Sequence, residues 1–515
     1  LPANATEDDH LALIGLLNSS IACFWMKQVF HNKGSTVDSR GARQTTDAFE
    51  NFYDFNGTGL GRFPVTRGTP KNLAKELEFL AQMRQRHLPE VLRSQLPLVR
   101  GELDANRDKA DALLAHMIAL QEELDWRCYG LYGVLDSKLV YHDGEGNAKQ
   151  PPGARLGERA FEIAMARRMA AGELETSWFR RHGSTPVTEV PDRWPEDYRQ
   201  LVEARVERIQ SDRYISLLEK PEYKRRWNLD SWEDLEQAAL RRWLLDRLEE
   251  SRYWGELALQ TTNSLGDLAG MDRDFMAVAE LYLRQTGVDQ KRLVAELVGN
   301  EAVPVLRALR YKKEGLRKRA DWEETWALQR REDAIDEEAA AGFVQKNEES
   351  DEAFQKRVQA AQKTRKQEVL GEIPVPPRYK SSDFLSTTYW RLRGALDVPK
   401  ERFFSLPYCS PEGDDSLLIG WAGWNSLQRL QAIAGTYHAR RQEAGWSAER
   451  LKPLLAAMDE LLPWVKQWHN EPDPEFGAMG DFFDTYLASQ LQELGLTTAD
   501  IRNWVPPTTG RRRKA

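Results

Sequence analysis

The chain has 515 residues, 41% of them hydrophobic and 30% charged, with a mean hydropathy of −0.63. This is a core-forming composition with a charged surface, and it excludes collagen-like and wholly disordered classes. Its 72 basic residues face 80 acidic ones, a net charge of −8, which argues against a globally cationic nucleic-acid coat and leaves only local basic faces for such contacts.

Residues 1–66 read as a small α+β unit. Leu11, Ile14, Leu17, Ile21, Phe24 and Trp25 recur at helical spacing. The apolar run from Leu11 to Phe30 approaches membrane-spanning length, but Asn18, Ser19, Ser20, Lys27 and Gln28 interrupt it, so a buried helix is expected. A polar loop follows to Thr46, then the aromatic cluster Phe49, Phe52, Tyr53 and Phe55, and a turn at Asn56-Gly57-Thr58-Gly59. Residues 67–135 predict a helical hairpin. Thr69-Pro70 starts its first helix, Leu73, Leu77, Leu80 and Met83 give that helix one stripe, and a second helix covers about Leu103–Leu124.

Residues 136–196, broken by Gly and Pro, form a loop-rich connector with one helix over Glu158–Ala171. Residues 197–370 predict a helical domain, with helices near 197–219, 231–251, 273–285 and 289–297 and then one or two long polar helices. Those last helices are basic over 307–319 and acidic over 332–352, the pattern of exposed helix or a mobile arm. The run Ile373-Pro374-Val375-Pro376-Pro377 opens a C-terminal helical domain, 371–507, with helices near 425–443, 447–468 and 479–494. The basic tail 508–515 is expected to be disordered. The fold class is mainly α, multi-domain and helical, with a small α+β part at the N-terminus.

Three separated cysteines, Cys23, Cys128 and Cys409, make neither a zinc spacing nor a disulfide framework, so a reduced cytoplasmic chain is expected. The chain opens on Leu1, with no basic region before an apolar stretch; no signal peptide is expected, and the sequence reads as a piece of a longer polypeptide. No phosphate-loop, H-E-x-x-H or G-x-S-x-G motif occurs. Gly57, Gly59 and Gly61 read as a tight turn, and His469-Asn470-Glu471 as a helix terminus. Methyl transfer to an exocyclic amine needs a glycine-rich turn for the donor and a polar-Pro-Pro-aromatic loop for the base. Val375-Pro376-Pro377-Arg378 and Val505-Pro506-Pro507 lack the flanking residues such a loop requires. No catalytic residue and no metal ligand is assigned, and no cofactor is expected to bind this chain.

The string Leu13-Ile14-Gly15-Leu16-Leu17-Asn18-Ser19-Ser20 with Phe24-Trp25 resembles the helix that closes the target-recognition domain of adenine-specific DNA methyltransferases. Asp125-Trp126 to Tyr132-Gly133, Tyr389-Trp390-Arg391-Leu392-Arg393-Gly394, Gly420-Trp421-Ala422-Gly423-Trp424 and Leu462-Pro463-Trp464-Val465-Lys466 extend the likeness over nearly the whole chain. Together they resemble the PglX family, the adenine-specific methyltransferases of type 2 BREX phage defence. The resemblance implies that residues 1–66 end a target-recognition domain and that the catalytic, donor-binding half lies upstream. It also implies methyl transfer from S-adenosylmethionine to adenine N6 by the full-length parent. The partners implied are double-stranded DNA, the upstream methyltransferase domain and other BREX proteins, with no membrane.

A recognition module needs cations for phosphates and side chains that reach base edges. The candidates are Lys27, Gln28, His31, Asn32, Lys33, Arg40 and Arg43, with Arg310, Lys312, Lys313 and Arg317 as a second phosphate-tracking set. The plainer account of each is a solvated face, with Lys27 ending a helix. Trp421, Trp424, Trp464 and Trp468 are expected in the core, as are Tyr389 and Trp390 beside surface arginines Arg391 and Arg393; the alternative for that last group is stacking on a base. Two functions compete: a DNA-recognition and spacer portion of an adenine methyltransferase, or a helical scaffold that docks other phage-defence proteins.

Overall fold

The computed structural model describes residues 4–35, 42, 47–135, 139–142, 144, 149–227, 230–347 and 349–507, and Arg40, Arg43 and the basic tail lie outside them. The chain is mainly α-helical and divides into two compact units, 1–240 and 241–515.

In the first unit, α1 (Glu7–Leu17) starts at Thr6, whose hydroxyl accepts from the Asp9 N–H while the Asp9 carboxylate accepts from the Thr6 N–H. The single helix expected across Leu11–Phe30 is instead two. α1 ends at Asn18, and α2 (Ser20–Val29) restarts at 71° to it. Serine side chains compete with the helical backbone for its hydrogen bonds. Ser19 Oγ caps the Ala22 N–H, and Ser20 turns its N–H and hydroxyl to Asp125 at 2.8 and 2.7 Å. No single helix among the described residues is long and apolar enough to cross a membrane.

Strands β1 (His31–Gly34) and β2 (Phe52–Asp54) pair antiparallel, with His31 opposite Asp54 and Asn32 opposite Tyr53. α3 (Lys71–Arg86) packs along α4 (Arg100–Leu131), which runs past the expected stripe through Asp125-Trp126 to Leu131. α5 (Ala160–Ala170) packs on α6 (Glu196–Ser211). The helix expected to reach residue 219 breaks at Asp212, whose carboxylate accepts from the Tyr214 and Ile215 N–H groups and so caps a new helix. Trp126, Tyr129, Phe161, Trp178, Val202 and Val206 are buried in one cluster, so the hairpin, the loop-rich connector and α6 share a core. α7 (Trp232–Leu248) carries the boundary between the units.

The second unit holds a four-stranded sheet in the order β3-β6-β5-β4, made of β3 (Gln260–Thr261), β4 (Ala302–Pro304), β5 (Phe403–Ser405) and β6 (Leu418–Trp421). β4 and β5 are parallel; the other pairs are antiparallel. Phe403, Phe404, Leu418 and Ile419 are buried in it. The sequence gives no sign of this sheet, since strands of two to four residues are too short for alternation to register.

Around the sheet lie α8 (Thr262–Met271), α9 (Gln290–Gly299), the long pair α10 (Lys313–Ala341) and α11 (Asp351–Val369), then α12 (Ser426–His438), α13 (Ala448–Trp468) and α14 (Met479–Glu493). α10 and α11 pack on each other, as do α13 and its neighbours α12 and α14. Trp424 is buried, but Trp468 is 67% exposed rather than core, because it is the last residue of α13. Tyr389 and Trp390 pack half-buried on the Tyr311, Tyr379 and Phe384 cluster.

Candidate functional site

The first candidate set lies on α2 and β1. Lys27 is drawn inward: its ammonium donates to the Glu222 carbonyl and sits 5.2 and 6.0 Å from the ring centres of Tyr53 and Tyr223. Burial lowers its pKa, and it ties α2 to the turn Pro221–Tyr223. Gln28 is exposed beside the Tyr223 hydroxyl. His31, Asn32 and Lys33 are exposed on β1. Asn32 spends its side-chain carbonyl on the Gly34 N–H, 2.7 Å away, and its amide lies 3.5 Å from the Tyr53 hydroxyl. Lys33 pairs across the ribbon with Asp54 at 3.1 Å, and Phe52 beside it is 58% exposed. A two-stranded ribbon with polar and aromatic side chains outward has dimensions that the DNA major groove admits.

The glycine run beside this ribbon forms a helical turn, Gly57–Leu60, capped by Asn56. A Cβ on Gly59 would fall 2.2 Å from the Phe30 ring, so the space against that glycine is filled by a side chain.

α4 buries three acids, Glu122, Glu123 and Asp125, in contacts the sequence does not reveal. Lys224 reaches Asp125 at 2.8 Å, Glu219 at 2.9 Å and Glu122 at 3.9 Å. Tyr129 donates to Glu219, and Arg205 places one terminal nitrogen 2.8 and 2.9 Å from the two Glu123 oxygens. Arg159 pairs with Glu162 at 2.8 Å, and Glu162 also accepts from the Trp178 indole at 3.0 Å. Five carboxylates thus meet three cations. Burial pushes the Glu122 carboxyl up to about 7 against the pull of Lys224. Among the described residues no group of three His, Cys, Asp or Glu side chains is placed to hold a metal ion.

The second candidate set divides between surface and interior. Lys312, Lys313 and Arg317 are exposed at the start of α10, with Arg317 3.3 Å from Glu314. Arg310, only 3% exposed, is not on the surface that a phosphate track requires. It donates to the Pro304 and Val305 carbonyls at 3.2 and 3.3 Å and lies 3.5 Å from both Asp397 and Glu460. Arg319 joins it there, 2.8 Å from Glu460. Arg393 pairs with Glu401 in the same interior, so of the expected surface pair only Arg391 is exposed.

These arginines line a cavity of about 330 Å³ together with Arg429 and the rings of Trp322, Trp326, Tyr379 and Trp464. The sequence reading missed it, although Arg319, Trp322 and Trp326 share one helical face at spacings of three and four.

Residues 117–515 match the family described as "Domain of unknown function (DUF7008)". Over 521 aligned residues the chain is 42% identical to a Streptomyces coelicolor protein named adenine-specific methyltransferase PglX. The alignment takes in all of this chain and 40% of that relative, so the chain spans well under half of its length. No solved structure matches. The family segment includes the buried acids of α4, their partners Arg205 and Lys224, and the whole arginine cavity. The chain therefore belongs to the DUF7008 family, and it is similar throughout to part of a PglX methyltransferase.

Proposed function

We propose that this chain is the DNA-recognition and spacer portion of a site-specific adenine-N6 DNA methyltransferase of BREX phage defence, and that its β1–β2 ribbon meets the duplex. The observation that carries this reading is the 42% identity to PglX over the full chain. The exposed His31, Asn32 and Lys33 supply suitable chemistry, an amide of the type that reads adenine edges and a cation for phosphate, once Asn32 exchanges its contact with Gly34 and Lys33 its surface pair with Asp54 for the duplex. Gln28 belongs to the same proposed surface, and Lys312, Lys313 and Arg317 to a second one; Arg40 and Arg43 stay candidates by residue type alone. Lys27 and Arg310 act in this reading as packing residues. S-adenosylmethionine and the transfer step belong to an upstream methyltransferase domain, because the donor turn and the polar-Pro-Pro-aromatic loop are missing from this sequence. Three free cysteines, two of them buried, suit a reducing cytoplasm.

The scaffold reading is favoured by a different observation, the long charged pair α10 and α11, which suits docking of other BREX proteins. Fluorescence anisotropy of a labelled duplex across a salt series separates the two. The recognition reading expects measurable affinity at low salt, and K33A is expected to flatten the log–log salt slope by about 0.9, one phosphate contact. Absence of binding at low salt, or a slope unmoved by H31A/N32A/K33A, rejects the ribbon as a DNA contact and leaves the scaffold role.

A further inference from the structure

The arginine cavity of the second unit gathers four cations that are unequally paired. Arg310, Arg319, Arg393 and Arg429 face it; Asp397 and Glu460 line it too, while Glu323 pairs with Arg319 at 3.0 Å and Glu401 with Arg393. Asp397 gathers the cations: one carboxylate oxygen takes the Tyr311 hydroxyl and lies 3.5 Å from Arg310 and 3.9 Å from Arg319. Its backbone sits in the left-handed region, at φ 52°, a conformation Asp tolerates better than most residues, and such strain tends to collect at ligand sites.

Donors and acceptors here are incompletely matched: among the described residues the second Asp397 oxygen has no hydrogen-bond partner, and neither do two arginine nitrogens. Arg310 and Arg393, with side chains 4% and 9% exposed, each leave Nε without a hydrogen-bond partner. Among the described residues Arg429 has no carboxylate partner; it donates to the Trp424 and Ala422 carbonyls. Burial lowers the pKa of both Arg393 and Arg429. A guanidinium taken out of water against carbonyls alone, as Arg429 is, is unfavourable, and an anion beside it offsets that cost.

The remaining walls are aromatic. The Trp322 and Tyr379 rings lie nearly parallel, 8° apart with centres 6.4 Å from each other, and Trp326 meets Trp464 edge-on at 4.6 Å. Stacking platforms beside arginine forks are the equipment that holds a base and its phosphate. The volume of about 330 Å³ stands at the lower end of the roughly 300–1,000 Å³ common for small-molecule sites, room for one nucleotide and not for a strand.

We propose that this cavity binds a single 5′-nucleotide, its phosphate on Arg429, Arg310 and Arg393 and its base against the tryptophans. The site is separate from the proposed DNA ribbon and does not depend on it. A nucleotide reaches it either free, as a nucleoside monophosphate, or as the 5′-phosphorylated end of a strand.

The test is titration of the full chain with AMP, GMP, CMP and UMP, read by quenching of tryptophan fluorescence and by calorimetry. Adenosine and inorganic phosphate serve as the half-ligands. At least one monophosphate is expected to saturate with an affinity about tenfold or more above either half-ligand. R429Q is expected to weaken that binding by about tenfold while circular dichroism is unchanged. S426F, which fills the cavity from α12 without touching an arginine, is expected to abolish it and guards against a misfolded arginine variant.

A 5′-phosphorylated oligonucleotide that displaces the monophosphate, where its 5′-hydroxyl twin does not, assigns the site to strand ends; failure of both to displace assigns it to free nucleotide. The proposal is overturned if no monophosphate saturates below about 10 mM, if inorganic phosphate binds as tightly as any nucleotide, or if folded R429Q and S426F retain wild-type affinity.

Discussion

Glu122 carries the least comfortable charge in the first unit. One of its oxygens accepts from the Ala160 N–H at 3.3 Å, and the other has no hydrogen-bond partner and lies 3.9 Å from Lys224. Its carboxyl titrates near 7 in the fold against an ordinary value of 4.5. A folded pKa above the unfolded one means stability that is fully present below about 4.5 and is lost as pH rises through about 7. The loss is on the order of 3 kcal/mol once the group is fully ionised. Thermal melts between about pH 5 and pH 8 are therefore expected to show Tm falling with pH, and E122Q is expected to flatten that fall. A pH profile identical in E122Q would remove Glu122 as its source. The sequence hides this residue: Glu122 stands between Leu120 and Leu124 of an apolar stripe, and acids there look solvated. Its neutralising partner is Lys224, and residues so distant in sequence meet only through the tertiary fold.

At the scale of elements, the paired helices α10 and α11 show what charge patterning does reveal. Alternating acidic and basic blocks predict long exposed helices, and beyond Trp326 the buried side chains are few, chiefly Ile335 and Val358. The rest is held by pairs of surface type, such as Lys366 with Glu332 at 3.3 Å and with Asp336 at 3.0 Å, each contributing about 1 kcal/mol or less. Replacing residues 333–368 with a short Gly-Ser linker is expected to leave the melting transition of the remainder within about 4 °C. Amides of the same segment are expected to exchange early in hydrogen–deuterium exchange. Loss of cooperative unfolding in the shortened chain would show that the arm is part of the core. The boundary that sequence gets wrong, the break between α1 and α2, has the opposite character. Periodicity runs straight through Asn18-Ser19-Ser20, and the helix stops there because Asp125, on α4, takes the Ser20 N–H and hydroxyl.

For the whole molecule the governing quantity is the net charge of −8, which opposes any approach to DNA except through local clusters. The sequence marks two basic clusters, and the structure assigns them to different units. The first survives as exposed His31, Asn32 and Lys33, with Lys27 withdrawn against Tyr53. In the second, composition alone misleads, because a run of like charges on a helix start has an inner and an outer face. Arg310 and Arg319 turn into the cavity, while Lys312, Lys313 and Arg317 stay in solvent.

Of that second set only these three are exposed, so they are the residues whose removal tests a phosphate contact by the second unit. Replacing them with alanine takes the net charge from −8 to −11. If all three touch phosphates, K312A/K313A/R317A is expected to lower the log–log salt slope by about 2.7. Long-range repulsion alone would weaken binding with a smaller change of slope, since charges beyond a Debye length of about 10 Å are largely screened at 0.1 M salt. A salt series on this variant beside K33A therefore measures each unit's phosphate contacts separately, and a slope unchanged in the triple variant takes the start of α10 out of the DNA interface.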